Sequence, residues 1–267
     1  MKEQANTSPQ TSLDPWLLAA RNASLQGFTY SGGKMKLAKH ILPFMPHSGR
    51  IYAEPFAGLG NLYWKAALIL QFDEWWINDI RTAPFFRTLG THGSSVEVPA
   101  RSHEEFVRQK AAFALSDPTA ILLGPYFSFN GGFYAQGERQ NKGSITASSY
   151  EGRLRMAHSI MTFTQPEITA VDWKLAVADL GPRDFVYFDP PYKGCKVHGY
   201  RADDIDHEEL AEELTRAPYR WLLSEYDHPV YARLGKPFWR KEVQLRTTNF
   251  RDDGGKGRRM ECLWRNY

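Results

Sequence analysis

Apolar residues follow two rhythms along this chain. Dense short runs occur at 51–56 and 74–80, and between them residues 62–70 carry apolar positions at helical spacing. Runs of four to eight apolar residues bounded by turn residues predict strands, and a 3.6-residue period predicts a helix. Strand, glycine-rich turn, helix, strand is the opening unit of a nucleotide-binding α/β sheet. The alternation returns after residue 166, with a strand at 168–171, a helix at 173–180 and a buried strand at 185–188. Ile205, Leu210 and Leu214 place a helix in an acidic stretch, and 219–224 reads as another strand. Residues 237–248 and 258–267 form a strand pair turning across Asp252-Asp253-Gly254-Gly255-Lys256.

Residues 81–166 break this rhythm. Helices are predicted around 104–115 and 151–163, with an apolar, aromatic run at 121–129 between them. The following Asn130 to Ser144 is rich in Gly, Asn and Gln and carries Gly131, Tyr134, Arg139 and Lys142. That is long for a connection inside a compact domain, which points to function, although a floppy surface loop has the same composition. Residues 1–15 are polar and aperiodic, a disordered lead, and 16–20 fit a short helix docked on the body.

The chemistry gathers where strands end. The run 185–188 stops at Asp189-Pro190-Pro191-Tyr192. Two prolines lack N–H groups and close the strand, leaving carbonyls as free acceptors, while Asp189 stays on the strand line. A carboxylate and a fixed carbonyl can hold both N–H bonds of an exocyclic amino group and draw its nitrogen toward tetrahedral geometry. Tyr192 can stack on a base lifted from its helix. Alone, the tetrapeptide is also an ordinary strand-end turn. Gly58 and Gly60 in Glu54-Pro55-Phe56-Ala57-Gly58-Leu59-Gly60 permit a tight turn beneath a cofactor, a weak signal by itself. The third glycine of a dinucleotide fingerprint is absent, since position 63 is Tyr63, which disfavours a nicotinamide enzyme. Asp79, in Asn78-Asp79-Ile80, falls about 20 residues past that turn, where an acid reaches a ribose. Tyr30-Ser31-Gly32-Gly33-Lys34 adds two glycines for close backbone approach and a lysine for an anionic carboxylate, unless Lys34 is a plain helix-surface residue.

Bulk composition narrows the classes. At 267 residues, one large domain or a core with an insertion is expected. No run approaches the roughly 18 apolar residues of a membrane span, and the N-terminus lacks a signal-peptide pattern. Cys195 and Cys262 are far apart, so neither structural zinc nor a disulfide framework is expected, and a reducing cytoplasm is the default. The net charge is only +3 but unevenly spread: residues 233–265 hold ten Lys or Arg, including Lys256 and Arg258, against four acids. Clustered positive charge suggests a polyanion surface, while the acidic 203–213 reads as a solvated face.

Taken in order, Tyr-x-Gly-Gly-Lys, Glu-Pro-Phe-x-Gly-x-Gly, Asn-Asp-Ile, an insertion and Asp-Pro-Pro-Tyr resemble the Dam-type, alpha-ordered (D12 class) DNA adenine N6-methyltransferases over residues 28–267. The resemblance implies a Rossmann-like, S-adenosylmethionine-dependent methyltransferase sheet (28–80 and 167–267) with a C-terminal β-hairpin and a mainly helical inserted DNA-recognition domain (81–166). It implies that Tyr30, Gly32, Gly33, Lys34, Glu54, Pro55, Phe56, Gly58, Gly60, Asp79, Ile80 and Asp189 line the cofactor. Asp189, Pro190, Pro191 and Tyr192 would form the catalytic motif. Asn130, Gly131, Tyr134, Arg139, Lys142, Lys256 and Arg258 are the candidate DNA contacts. Beyond Phe129-Asn130-Gly131-Gly132 the insertion matches the family poorly, so no target word transfers.

The expected reaction is in-line methyl transfer to N6 of a flipped adenine in double-stranded DNA, with no metal and no covalent enzyme intermediate. A bacterial, archaeal or phage cytoplasm is implied, with a monomer expected, a dimer as the alternative and a cognate restriction enzyme as partner. Three rivals stand beside it: amino methylation of RNA or of cytosine N4, a catalytically silent DNA-binding relative, and a nicotinamide oxidoreductase.

Overall fold

The computed structural model describes residues 27–30, 32–135, 137–139, 145–193, 205–244 and 258–267. The lead and its 16–20 helix, the hairpin tip, and Lys142 and Lys256 lie outside the described residues. In chain order the elements are α1 (Ala38–Ile41), β1 (Ser48–Glu54), α2 (Tyr63–Ile69), β2 (Gln71–Asn78) and α3 (Ala83–His92). Then come α4 (His103–Ala114), α5 (Pro118–Phe127), α6 (Ala147–Thr164), β3 (Glu167–Thr169) and β4 (Phe185–Phe188). The chain closes with α7 (His207–Arg216), β5 (Arg220–Tyr226), β6 (Trp239–Gln244) and β7 (Arg258–Arg265).

The seven strands form one sheet in the order β3-β2-β1-β4-β5-β7-β6. The first five pair in parallel, and β7 runs antiparallel between β5 and β6. This is the Rossmann-like arrangement with a C-terminal hairpin that the sequence predicts. The strand order reverses between β1 and β4, so their carboxyl ends open a crevice where ligands of α/β sheets bind.

Strand alternation builds the core. Phe185 and Tyr187 of β4, Leu222 of β5 and Leu263 of β7 join one apolar cluster, while Val186, Phe188, Leu223 and Trp264 join the other. A side-chain period of two sends neighbours to opposite faces, and both faces of β4 are buried, as central parallel strands require. The first cluster continues through Phe85, Phe106, Leu122, Tyr126 and Ile160, so α3 to α6 share its core. Helix α5 takes shape from the apolar run at 121–127. Asp117 caps its start by accepting from the Ala120 N–H, and Pro118 occupies its first turn.

One expected helix is not there. Residues 173–180 form successive tight turns, with Leu175, Val177 and Leu180 N–H groups donating three residues back. Gly181 and Pro182 follow at once, and so short a segment gains little from an α ladder. Trp173, Val177 and Leu180 are buried all the same. Among the described residues no helix is long and apolar enough to cross a membrane.

Candidate active site

The carboxyl ends of β1 and β4 lie side by side and deliver Glu54 and Asp189 to one crevice. Lys34 reaches the same place from the turn at 30–33. Its Nζ stands 2.7 Å from Asp189 Oδ1, 3.1 Å from the Gly32 carbonyl and 4.0 Å from Glu261 Oε1. It also sits 4.4 Å above the centroid of the Tyr192 ring. Tyr192 donates its hydroxyl to Glu261 Oε1 at 2.5 Å and meets Tyr226 edge-on at 4.6 Å. Lys34 is therefore no surface lysine: its side chain is 7% exposed, against 19% for Asp189.

This crevice holds more carboxylates than cations. Burial disfavours charge on Lys34, yet Asp189 and Glu261 more than offset it and raise its pKa. Burial holds Asp189 above the usual carboxylate range against the pull of Lys34, and does the same to Glu261. Glu54 is pushed to about 8 by burial, with Asp189 adding to the rise and the Tyr52 hydroxyl, 2.6 Å from Oε1, opposing it.

The glycine turn is pinned from below. Gly58 and Gly60 have φ of +56° and +65°, left-handed values that glycine adopts without strain. Asp79 Oδ2 accepts from the Gly58 N–H at 2.9 Å, while Oδ1 accepts from the Arg81 and Thr82 N–H groups at 2.8 and 2.9 Å. One carboxylate thus ties the turn to the start of α3. Having about four acceptor positions, it keeps one for a hydroxyl. Asn78 clamps the turn as well, donating to the Pro55 carbonyl at 2.9 Å. Phe56 packs between Trp173 and Phe188, and Ile80 is 69% exposed beside Asp79.

Tyr30 lies against the turn, its ring 3.1 Å from where a Gly58 side chain would begin. Asn61 fills the space that side chains at Gly27 and Gly33 would need, and its Oδ1 is buried without a hydrogen-bond partner among the described residues. A buried cation, an orphan acceptor and the Asp79 carboxylate together fit an amino-acid-bearing nucleoside. Lys34 would take its carboxylate, Asn61 an N–H, and Asp79 its ribose. A separate recess of about 640 Å³ lies at the opposite end of the sheet, by Ser48, Gln71 and Arg220.

The candidate DNA contacts divide. Gly131 turns toward the protein rather than outward, since a side chain there would meet the Thr29 carbonyl at 1.9 Å. Tyr134 is 2% exposed, donates to the Ala120 carbonyl and packs against Phe106 and Phe113. Both belong to the packing of the insertion and not to an outer face, a correction to the expectation above. Arg139 is half-buried and spends its donors on the Ser128 and Pro125 carbonyls. Arg258 is exposed and pairs with Glu242, Asn130 is half-exposed, and Phe129 beside it is 51% exposed.

Sequence reasoning gave no role to Glu261, Glu225 or Asn61. The first two carried a readable signal, because each is a carboxylate set inside an otherwise apolar strand run. Glu225 accepts from the Lys193 N–H at 3.2 Å and lies 3.5 Å from the Tyr231 hydroxyl, which meets His207 Nδ1 at 2.6 Å. That buried trio braces the chain just past Tyr192. Burial, with Lys193 and His228 adding, lowers His207 to about 4, and burial keeps Glu225 well above its ordinary value.

The profile of the D12 class N6 adenine-specific DNA methyltransferases matches residues 30–84, the stretch that holds Tyr30, Lys34, the glycine turn and Asp79. The type II methyltransferase M1.LlaDCHI of Lactococcus lactis subsp. cremoris is 23% identical over 282 residues, covering 94% of this chain and 99% of that one. Among solved structures, SMU.472, assigned as a methyltransferase and complexed with SAH, has a TM-score of 0.42 at 11% identity. That likeness covers 93% of this chain and 55% of SMU.472. The C-terminal domain of precorrin-6Y C5,15-methyltransferase from Rhodobacter capsulatus has a TM-score of 0.39 at 11% identity, covering 90% and 93% of the two chains.

Proposed function

We propose that this chain transfers a methyl group from S-adenosylmethionine to N6 of an adenine extruded from double-stranded DNA. The observation that carries the reading is the convergence of Asp189, Lys34 and the Tyr192 face at one strand end beside a pinned glycine turn. The D12-class match over residues 30–84 supports the same reaction.

The cofactor, when bound, supplies a methyl group on a sulfonium, so the protein contributes position and charge. Asp189 and the Pro190 carbonyl accept the two N–H bonds of the target amino group, orienting its lone pair. Tyr192 offers its ring to the base. Lys34 now holds both that carboxylate and that ring face, so it has to leave before a base can enter. An anionic carboxylate in the cleft gives the ammonium its alternative partner, which makes cofactor first, base second the favoured order. The partial burial of Asp189 lowers the local dielectric and strengthens each of these contacts.

Residues 81–166 serve as the recognition segment, with Phe129 and Asn130 as contacts to the bases and Arg258, Lys142 and Lys256 as the cations that meet backbone phosphates. The setting is a cytoplasm, with a restriction enzyme as functional companion. Incubating the protein with isotope-labelled cofactor and unmethylated DNA or RNA, then analysing nucleosides by mass spectrometry, tests the reading. Labelled N6-methyladenine from DNA is expected, and Asp189→Ala should lose it. Label confined to RNA or to cytosine would replace the substrate named here.

A further inference from the structure

Glu261 is a carboxylate buried within β7, 3% exposed, between Met260 and Cys262. Burying a charge costs several kcal/mol unless partners compensate, and an apolar residue would fill the strand at lower cost. Its hydroxyl partner is Tyr192 at 2.5 Å, and Lys34 lies 4.0 Å away.

The register of β7 explains how it reaches there. Glu261 pairs directly with Tyr226 of β5, and opposite residues of an antiparallel pair point to the same face. Tyr226 meets the Tyr192 ring edge-on, at 88° between planes. One cross-strand pair therefore grips a single tyrosine twice, by its ring and by its hydroxyl. The Lys34 ammonium rests over the same ring, 4.4 Å from its centroid. A tyrosine following two prolines at a strand end has no secondary structure to fix its plane; these two residues fix it.

We propose that Glu261 is a positioning residue for Tyr192, holding the ring plane on which the target base stacks. The proposal rests on the methyl-transfer reading and deepens it. It also accounts for a buried acid two strands away from Asp189 in the sheet. A hydrogen bond to a charged acceptor aims the ring more firmly than packing alone, and the base then meets a preorganised surface.

The experiment is a double-mutant cycle on the single-turnover methyl-transfer rate, using Tyr192→Phe, Glu261→Ala and the pair. Glu261→Ala should slow transfer roughly ten- to a hundredfold, the scale of a lost hydrogen bond to a buried charge. Tyr192→Phe should slow it as well, and the double variant should be no slower than the worse single one. Glu261→Gln, which keeps an acceptor for the hydroxyl, should recover most of the rate lost in Glu261→Ala. A second readout needs no activity: in protein labelled with 13Cζ-tyrosine, the resonance missing in Tyr192→Phe should shift in Glu261→Gln. Thermal melts confirm that each variant folds. Additive rate losses, or an unmoved Tyr192 resonance in Glu261→Gln, would overturn the proposal. A shifted resonance in a chain whose wild type methylates nothing would support the Glu261–Tyr192 link and fall instead on the methyl-transfer reading.

Discussion

The Lys34 ammonium stands 2.7 Å from the Asp189 carboxylate and 4.4 Å above the Tyr192 ring, so one cation occupies both surfaces that a target base would use. Its removal should be felt in two ways. Lys34→Met leaves Asp189 buried without its cation and takes away the partner for a cofactor carboxylate. Breaking a buried pair from one side costs about 3–5 kcal/mol, and partial exposure of Asp189 places this case at the low end. Denaturant unfolding of the ligand-free variant should show that loss, and calorimetry should show cofactor affinity reduced about tenfold or more. Wild-type cofactor affinity in Lys34→Met would remove Lys34 from the cofactor site.

Glu54 makes the ligand-free protein sensitive to pH. In the folded chain its carboxyl is pushed up to about 8 from an ordinary 4.5, chiefly by burial. Between those values the folded state binds more protons than the unfolded one. Its stabilising contribution is therefore complete below about 4.5 and is lost as pH rises toward 8. Glu54→Gln has no proton to lose and keeps an acceptor for the Tyr52 hydroxyl. The variant should match wild type near pH 4.5 and exceed it by about 2–4 kcal/mol at pH 8.5. His207, lowered to about 4, acts in the opposite direction below its ordinary 6.5, but it cancels when variant and wild type are compared at each pH. Parallel stability curves would mean that Glu54 is ionised in the folded protein.

Much of this was legible in the order of residues because period and punctuation are local properties. The run 185–188 reads as a buried strand, and Asp189-Pro190 ends it whatever surrounds it. Gly58 and Gly60 read as a turn for the same reason. What sequence could not supply was pairing across distance. Glu261 gains its meaning from a strand register that sets it opposite Tyr226, and Asp79 from three N–H groups on two elements. The insertion misled in its own way: Tyr134 looked like a stacking residue among polar neighbours, but Phe106 and Phe113 of α4 enclose it. Composition marks a segment as unusual without saying which side chains face inward.

Gly131 packs residues 129–132 against Thr29 and Tyr30. A side chain there would meet the Thr29 carbonyl at 1.9 Å, and its φ of +72° already favours glycine. Gly131→Ala should thus cost more than backbone strain alone. Gly137→Ala is the natural control, since φ is +78° but nothing lies within 4 Å among the described residues. The control should lose about 1–2 kcal/mol and keep its cofactor affinity. Gly131→Ala should lose more than that and weaken cofactor binding too, because Tyr30 is next in the chain. Equal losses in both variants would show that the contact with Thr29 is dispensable.

Phe129 sits 51% exposed at the end of α5, next to Asn130, whose φ of +50° is unusual for a residue with a side chain. An exposed aromatic on a sharply turned segment is suited to fill the space that an extruded base leaves. Phe129→Ala removes little buried surface, so melting temperature should change by no more than a degree or two, whereas DNA affinity should fall about 5- to 100-fold. The salt dependence tells this contact from a charged one. A neutral ring releases no counterions, so the slope of log K against log salt should stay that of wild type. Arg258→Ala, at an exposed cation on β7, should instead flatten that slope by about one unit with a smaller loss at low salt. Fluorescence anisotropy titrations at three salt concentrations suffice to see the difference. An unchanged affinity in Phe129→Ala would take the aromatic out of the DNA interface and leave recognition to the polar side chains of the same segment.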